Sequence, residues 1–101
     1  MLININRNNI NEVLNSDKRV MLDFYADWCS PCRLLLPIVK NVAEENPQYV
    51  IGKINIDESP ELAAEYGVSS IPTLVVLENG REIKRSLGAK PKPQVLKLLE
   101  S

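Results

Sequence analysis

Along this chain the spacing of apolar positions switches repeatedly between a period of two, or a continuous run, and the helical period. "LININ" (2–6) alternates partly and predicts a short edge strand. Ile10, Val13 and Leu14 follow at helical spacing behind Asn8 or Asn9, either of which suits a helix cap. "RVMLDFYA" (19–26) is almost unbroken apolar sequence rich in β-branched and aromatic residues, the pattern of a strand covered on both faces. Leu35, Ile38, Val39 and Val42 then mark a long helix that Asn46-Pro47 ends, with Pro37 inside it removing a hydrogen bond and predicting a kink. "YVIGKINID" (49–57) predicts a third strand. "SPELAAEYG" (59–67) predicts a helix with Ser59 as cap, Pro60 at its first position and Gly67 just past its end. "TLVVLE" (73–78) and "REIKRSL" (81–87) flank Asn79-Gly80, a strong two-residue hairpin signal. A last helix over "KPQVLKLLE" (92–100) turns Val95, Leu96, Leu98 and Leu99 inward.

The resulting order is βαβαβαββα. Strands that alternate with helices need parallel crossovers, whereas a hairpin forces an antiparallel pair. The expected fold is therefore α/β, with a mixed five-stranded sheet and helices on both faces. At 101 residues, 45% of them apolar and 25% charged, the chain suits one domain spanning 1–101. Twelve Lys and Arg against thirteen Asp and Glu leave a net charge of −1, which offers nucleic acid or an anionic membrane no electrostatic footprint. No basic head precedes an apolar run at the N-terminus, and no apolar stretch approaches the ~20 residues that span a bilayer. The expected compartment is the cytoplasm, where thiols are kept mostly reduced.

That expectation sharpens the meaning of the two cysteines. Cys29 and Cys32 are the only ones, in a chain without histidine. Cys29 directly follows a predicted buried strand, and Cys32 falls in the first turn of the next helix. Residues three apart share a helix face at roughly 5–6 Å between Cβ atoms, near the reach of a disulfide, so the pair can close and reopen with little backbone movement. A helix N-terminus carries unpaired N–H groups and partial positive charge, which favour a thiolate over a thiol. Pro31, lacking an N–H, suits a first helical position. Three other readings compete with an activated pair. A structural disulfide closing so short a loop constrains the unfolded chain by only about 2 kcal/mol. A structural zinc site needs about four ligands, and one chain supplies two cysteines. A glutaredoxin-like or peroxide-reducing thiol enzyme shares the spacing.

"DFYADWCSPCR" (23–33) resembles the thioredoxin family, and so do "KINID" (53–57), "YGVSSIPTLVVLENG" (66–80) and "LGA" (87–89), in the family's order along nearly the whole chain. Thioredoxins are themselves the standard example of a tuned Cys-x-x-Cys pair. The resemblance implies a thioredoxin-like three-layer sandwich and a thiol–disulfide oxidoreductase that reduces protein disulfides, maintains redox homeostasis and is recharged by a thioredoxin reductase. It implies no prosthetic group and no metal, the redox group being the Cys29–Cys32 pair. Cys29, as the more exposed sulfur, would attack a target disulfide, and Cys32 would then attack Cys29 and release the reduced target. Asp23, a carboxylate in an apolar strand, is costly if charged and unpaired, so a raised pKa is expected. The family role implied is proton exchange with Cys32, with Lys53 as partner; otherwise Asp23 is a strand-end acid turned to solvent and Lys53 a solvated lysine. The family loop matching "SSIPT" has a cis proline, placing Pro72 against the disulfide and Ile71 where its backbone would add to a bound peptide. Trp28, Ile71, Pro72, Gly88 and Ala89 would form an apolar docking surface, rimmed by Ser30, Pro31 and Ser70.

Four positions depart from the family pattern. Ser30 stands where Gly is usual, Tyr25 where Trp is, Ser70 where Gly is frequent and Arg33 where Lys is common. The Ser30 hydroxyl could cap the backbone or donate to a nearby sulfur, with opposite effects on the thiolate. The absence of histidine between the cysteines favours a reductant over an oxidant. Expected partners are disulfide-containing proteins and the reductase, with a monomer as the simplest state. The rivals are a dedicated or glutathione-linked reductant, a non-catalytic binding subunit, and a metal cluster shared across a dimer.

Overall fold

A computed structural model describes residues 1–100. The elements run β1 (Leu2–Asn4), α1 (Ile10–Leu14), β2 (Val20–Tyr25), α2 (Ser30–Glu45), β3 (Val50–Asn55), α3 (Pro60–Glu65), β4 (Thr73–Glu78), β5 (Arg81–Leu87) and α4 (Lys92–Glu100). They form one five-stranded sheet in the order β1-β3-β2-β4-β5. The first three strands are parallel, while β4 runs antiparallel to β2 and to β5. Alternation along β2 divides the apolar residues between two cores. Val20, Leu22 and Phe24 pack with Ile10 and Val13 of α1 and Leu62 of α3. Met21 points the other way, toward Leu35, Val39 and Val42 of α2 and Val95 and Leu99 of α4. Both faces are thus covered, giving the expected three layers and explaining why β2 reads as continuous apolar sequence. At about 1.5–3 kcal/mol per fully buried aliphatic side chain, the α2 stripe alone anchors that helix firmly.

Local details follow the side chains. Asn79 and Gly80 both take positive φ (53° and 78°), as a type I′ hairpin turn requires. Pro37 lies within α2 without ending it, and Asn46 is its C-terminal cap. Asn9 and Ser59 are the N-caps of α1 and α3 as expected, but without the side-chain bonds such caps usually make. The Asn9 side chain makes no capping bond to α1; its Oδ1 accepts from Asn6 N and its Nδ2 donates to Asn4 O, so it braces the preceding loop. Ser59 sits at the start of α3 without a side-chain capping bond. β1 ends at Asn4, shorter than the 2–6 expected, though Ile5 N still donates to Lys53 O.

Candidate functional site

The cysteines lie where β2 hands over to α2. Cys29 takes extended φ/ψ (−88°, 111°) and is the N-cap of α2, its Sγ accepting from Cys32 N at 3.3 Å. Sulfur therefore occupies the capping place that an oxygen normally fills, at the positive end of a sixteen-residue helix. Ser30 is the first helical residue, so Pro31 is the second rather than the first; it has no N–H to leave unpaired at either. The pair is joined as a disulfide with Cα atoms 5.2 Å apart. Its surroundings are apolar: Ala26, Ile56 and Ile71 pack against it, with Tyr25 at the edge. Cys29 Sγ lies 3.8 Å from Ile71 O, a contact and not a hydrogen bond, because a disulfide sulfur carries no proton. Cys29, expected as the more exposed sulfur, is 5% exposed in the disulfide against 2% for Cys32.

The loop before β4 completes the surface. The Ile71–Pro72 bond is cis, Thr73 Oγ1 donates to Ser70 O at 2.6 Å, and Gly88 N donates to Pro72 O at 2.9 Å. Gly88 takes φ 85°, which a side chain would resist, so it can turn the chain beside Pro72. Pro72 is buried, whereas Ser70 and Ala89 are exposed and Ile71 and Gly88 half-buried. Trp28 is 66% exposed although it is the largest side chain in the protein. Its indole Nε1 donates to Asp57 Oδ2 at 2.8 Å. Asp57 and the residue that places it, Asn55, were not among the expected site residues. Asn55 is buried, and its Oδ1 accepts from Asp57 N and Glu58 N, shaping the turn after β3. The signal was there in "NID", since an Asn that closes a strand readily bonds the backbone two residues on.

Ser30 and Arg33, two of the departures, are joined. Arg33 Nη2 donates to the Ser30 hydroxyl at 3.1 Å while Nη1 donates to Asp27 O at 2.9 Å. Asp23 is 1% exposed on the sheet face that α2 covers, so the solvent-turned alternative does not hold. Its Oδ1 has no hydrogen-bond partner. Burial raises its pKa from 3.8 to about 7, partly offset by the positive charge of Lys53. Lys53 is directly opposite Asp23 in the β2–β3 register, but among the described residues no ion pair joins them. Its ammonium instead lies over the Tyr25 ring, 5.1 Å from the centroid.

The family model "Thioredoxin" matches residues 1–101. The chain belongs to the thioredoxin family. A thioredoxin from Streptomyces clavuligerus is 48% identical over 86 residues (85% of this chain, 80% of that one), and one from Chlamydia pneumoniae 50% over 80 (79% and 78%). Among solved structures, a mutant thioredoxin from Halobacterium salinarum superposes with a TM-score of 0.92 at 33% identity, covering 98% of this chain and 88% of that one. A structure described as the thiol resolving mechanism of yeast mitochondrial 1-Cys peroxiredoxin via glutathione/thioredoxin systems matches at a TM-score of 0.88 and 26% identity, covering 98% of this chain and 93% of that one. Family membership together with the Cys29–Cys32 pair makes this a thiol–disulfide oxidoreductase acting on disulfide-containing targets, with its own cysteines as redox group. Among the described residues no group of three or more His, Cys, Asp and Glu is placed to hold a metal, and no helix is long and apolar enough to cross a membrane.

Proposed function

We propose that the reduced protein attacks target disulfides through the Cys29 thiolate. One target sulfur bonds to Cys29 while the other leaves as a thiolate and takes up a proton. Cys32 then yields its proton to Asp23, attacks Cys29 Sγ and expels the second target sulfur. Two electrons pass to the target, and the Cys29–Cys32 disulfide is the product. The observation that carries this reading is Cys29 at the cap of α2, with Cys32 N aimed at its sulfur. The same N–H that meets the disulfide sulfur can stabilise a thiolate there. Holding Cys32 one helical turn away makes the second attack effectively unimolecular. A buried carboxyl with a pKa of about 7 can both accept and return a proton at neutral pH.

Trp28, Ile71, Pro72, Gly88 and Ala89 form the docking surface in this reading, with Ser30, Pro31 and Ser70 on its rim. The target lies extended along the Ile71 backbone, and Lys53 tunes Asp23. Residues 1–101 act as one domain, as a monomer in the cytoplasm, and a thioredoxin reductase returns the disulfide to the dithiol. The test is insulin reduction with dithiothreitol as electron source, comparing the wild type with Cys29→Ser. Strong turnover that disappears in the variant supports general disulfide reduction through Cys29. Negligible turnover by the folded wild type refutes it in favour of a dedicated partner or a binding role.

A further inference from the structure

We propose that Tyr25 is a positioning residue whose ring holds the Lys53 ammonium off the Asp23 carboxylate and so keeps that buried acid unpaired. Asp23 and Tyr25, two apart on β2, face the same side of the sheet, and Lys53 stands opposite Asp23 on the adjoining strand. Parallel neighbours in register point to the same face, so the lysine stem rises beside the carboxyl. Its head nevertheless lies over the diagonal neighbour, 5.1 Å from the Tyr25 centroid, and Asp23 Oδ1 has no partner. Other charges border Lys53. Asp27 and Glu58 share a cleft with it and Tyr25, and Lys40, Glu44 and the Met1 end share another, where the Met1 amine already donates to Ala43 O. None of these carboxylates is within ion-pair distance of Lys53, so the ring is the partner the ammonium takes. A half-buried aromatic face is a competent seat for a cation, because the ring's negative face replaces part of the lost hydration.

Were the ring absent, two effects would act in the same direction. The ammonium would be free to close on the carboxylate opposite, and water could enter the space left behind; either favours the ionised acid. The functional weight of this device rests on Asp23 exchanging a proton with Cys32. Direct pairing would leave Asp23 ionised at neutral pH and a poorer source of the returning proton.

The test is the Asp23 carboxyl-carbon titration, followed by NMR in the oxidised wild type, Tyr25→Leu, Tyr25→Trp and the same Leu change on a Lys53→Met background. Tyr25→Leu is expected to raise the Asp23 ionisation constant about threefold or more, half a pH unit downward in pKa. Tyr25→Trp, which keeps an aromatic seat, should stay near the wild type. On the Lys53→Met background the Leu effect should fall to less than half. An unchanged or upward pKa in Tyr25→Leu overturns the proposal, and so does an undiminished effect without Lys53, which would assign the shift to burial alone. The wild type supplies a check independent of whether Tyr25→Leu folds: the Lys53 ε-methylene protons should show an upfield ring-current shift, and its absence overturns the proposal too. In the oxidised protein Cys32 has no thiol proton to exchange with Asp23, so a failure of Asp23 as the Cys32 proton acceptor would leave these titrations intact and appear only in the pH profile of turnover.

Discussion

At neutral pH and above Asp23→Asn should make the protein more stable, by an amount that shrinks as the pH falls. The wild-type carboxyl titrates near 3.8 when the chain is unfolded and at about 7 when it is buried under α2. Between those values the folded state holds a proton that the unfolded state has released. Stability therefore falls as pH rises from about 4 to about 7 and changes no further above that through this group. Three pH units at about 1.4 kcal/mol apiece amount to about 4 kcal/mol, a large share of the 5–15 kcal/mol typical of a domain. Asparagine has nearly the same shape and stays neutral, so it escapes this penalty. Its own unpaired polar atoms cost about 1–3 kcal/mol at every pH, an offset that displaces the whole curve without changing its slope.

The assay is guanidinium chloride unfolding of the oxidised wild type and variant at several pH values from 4 to 8. Shifts at Glu82 and other groups are common to both proteins and cancel in the difference. At an m-value of about 3 kcal/mol/M, the midpoint difference should move by about 1 M in favour of Asp23→Asn between pH 4 and pH 8. A difference that stays flat with pH, or grows toward acid, would refute a carboxyl held protonated by burial.

Two further substitutions test the scaffold and the rim. A Cβ at Gly52 would overlap Ile5 Cδ1 and come within 3.2 Å of Ile3 O, so Gly52→Ala should cost about 1–3 kcal/mol, read as a lowered unfolding midpoint. Asp57→Ala removes the acceptor of the Trp28 indole; kcat/KM for a protein disulfide should fall about 3–10-fold while the unfolding midpoint hardly moves, and an unchanged kcat/KM would detach this bond from docking.

Much of the fold was legible because the apolar pattern and the turn residues agree. The unbroken run in β2 announced two covered faces, and Asn79-Gly80 announced the hairpin that makes the sheet mixed. Caps were less legible: Asn9 and Ser59 carry the right chemistry at helix starts, but the competing Asn4 and Asn6 backbone groups claim the Asn9 side chain. At the site, the cysteine spacing and the flanking strand and helix predicted a close pair at the start of α2, though not that Cys29 itself caps it, and the odd carboxylate in an apolar strand predicted the buried Asp23. Asp57 was missed because pattern arguments weigh elements rather than the turn that brings residue 57 beside residue 28. Lys53 stands on the strand facing Asp23 as expected, but the seat of its ammonium was missed for another reason: register alone favours the residue directly opposite, whereas a long side chain reaches a diagonal neighbour with a better face.

The central claim is the division of labour between the two sulfurs, and trapping tests it most directly. Reduced Cys32→Ser should react with a disulfide-bearing target and stop as a stable mixed disulfide, which peptide mapping places on Cys29. The matching Cys29→Ser protein should trap little, because Cys32 is the less exposed of the two sulfurs and does not cap the helix. Adducts formed mainly through Cys32, or no adduct with Cys29 intact, would contradict the account.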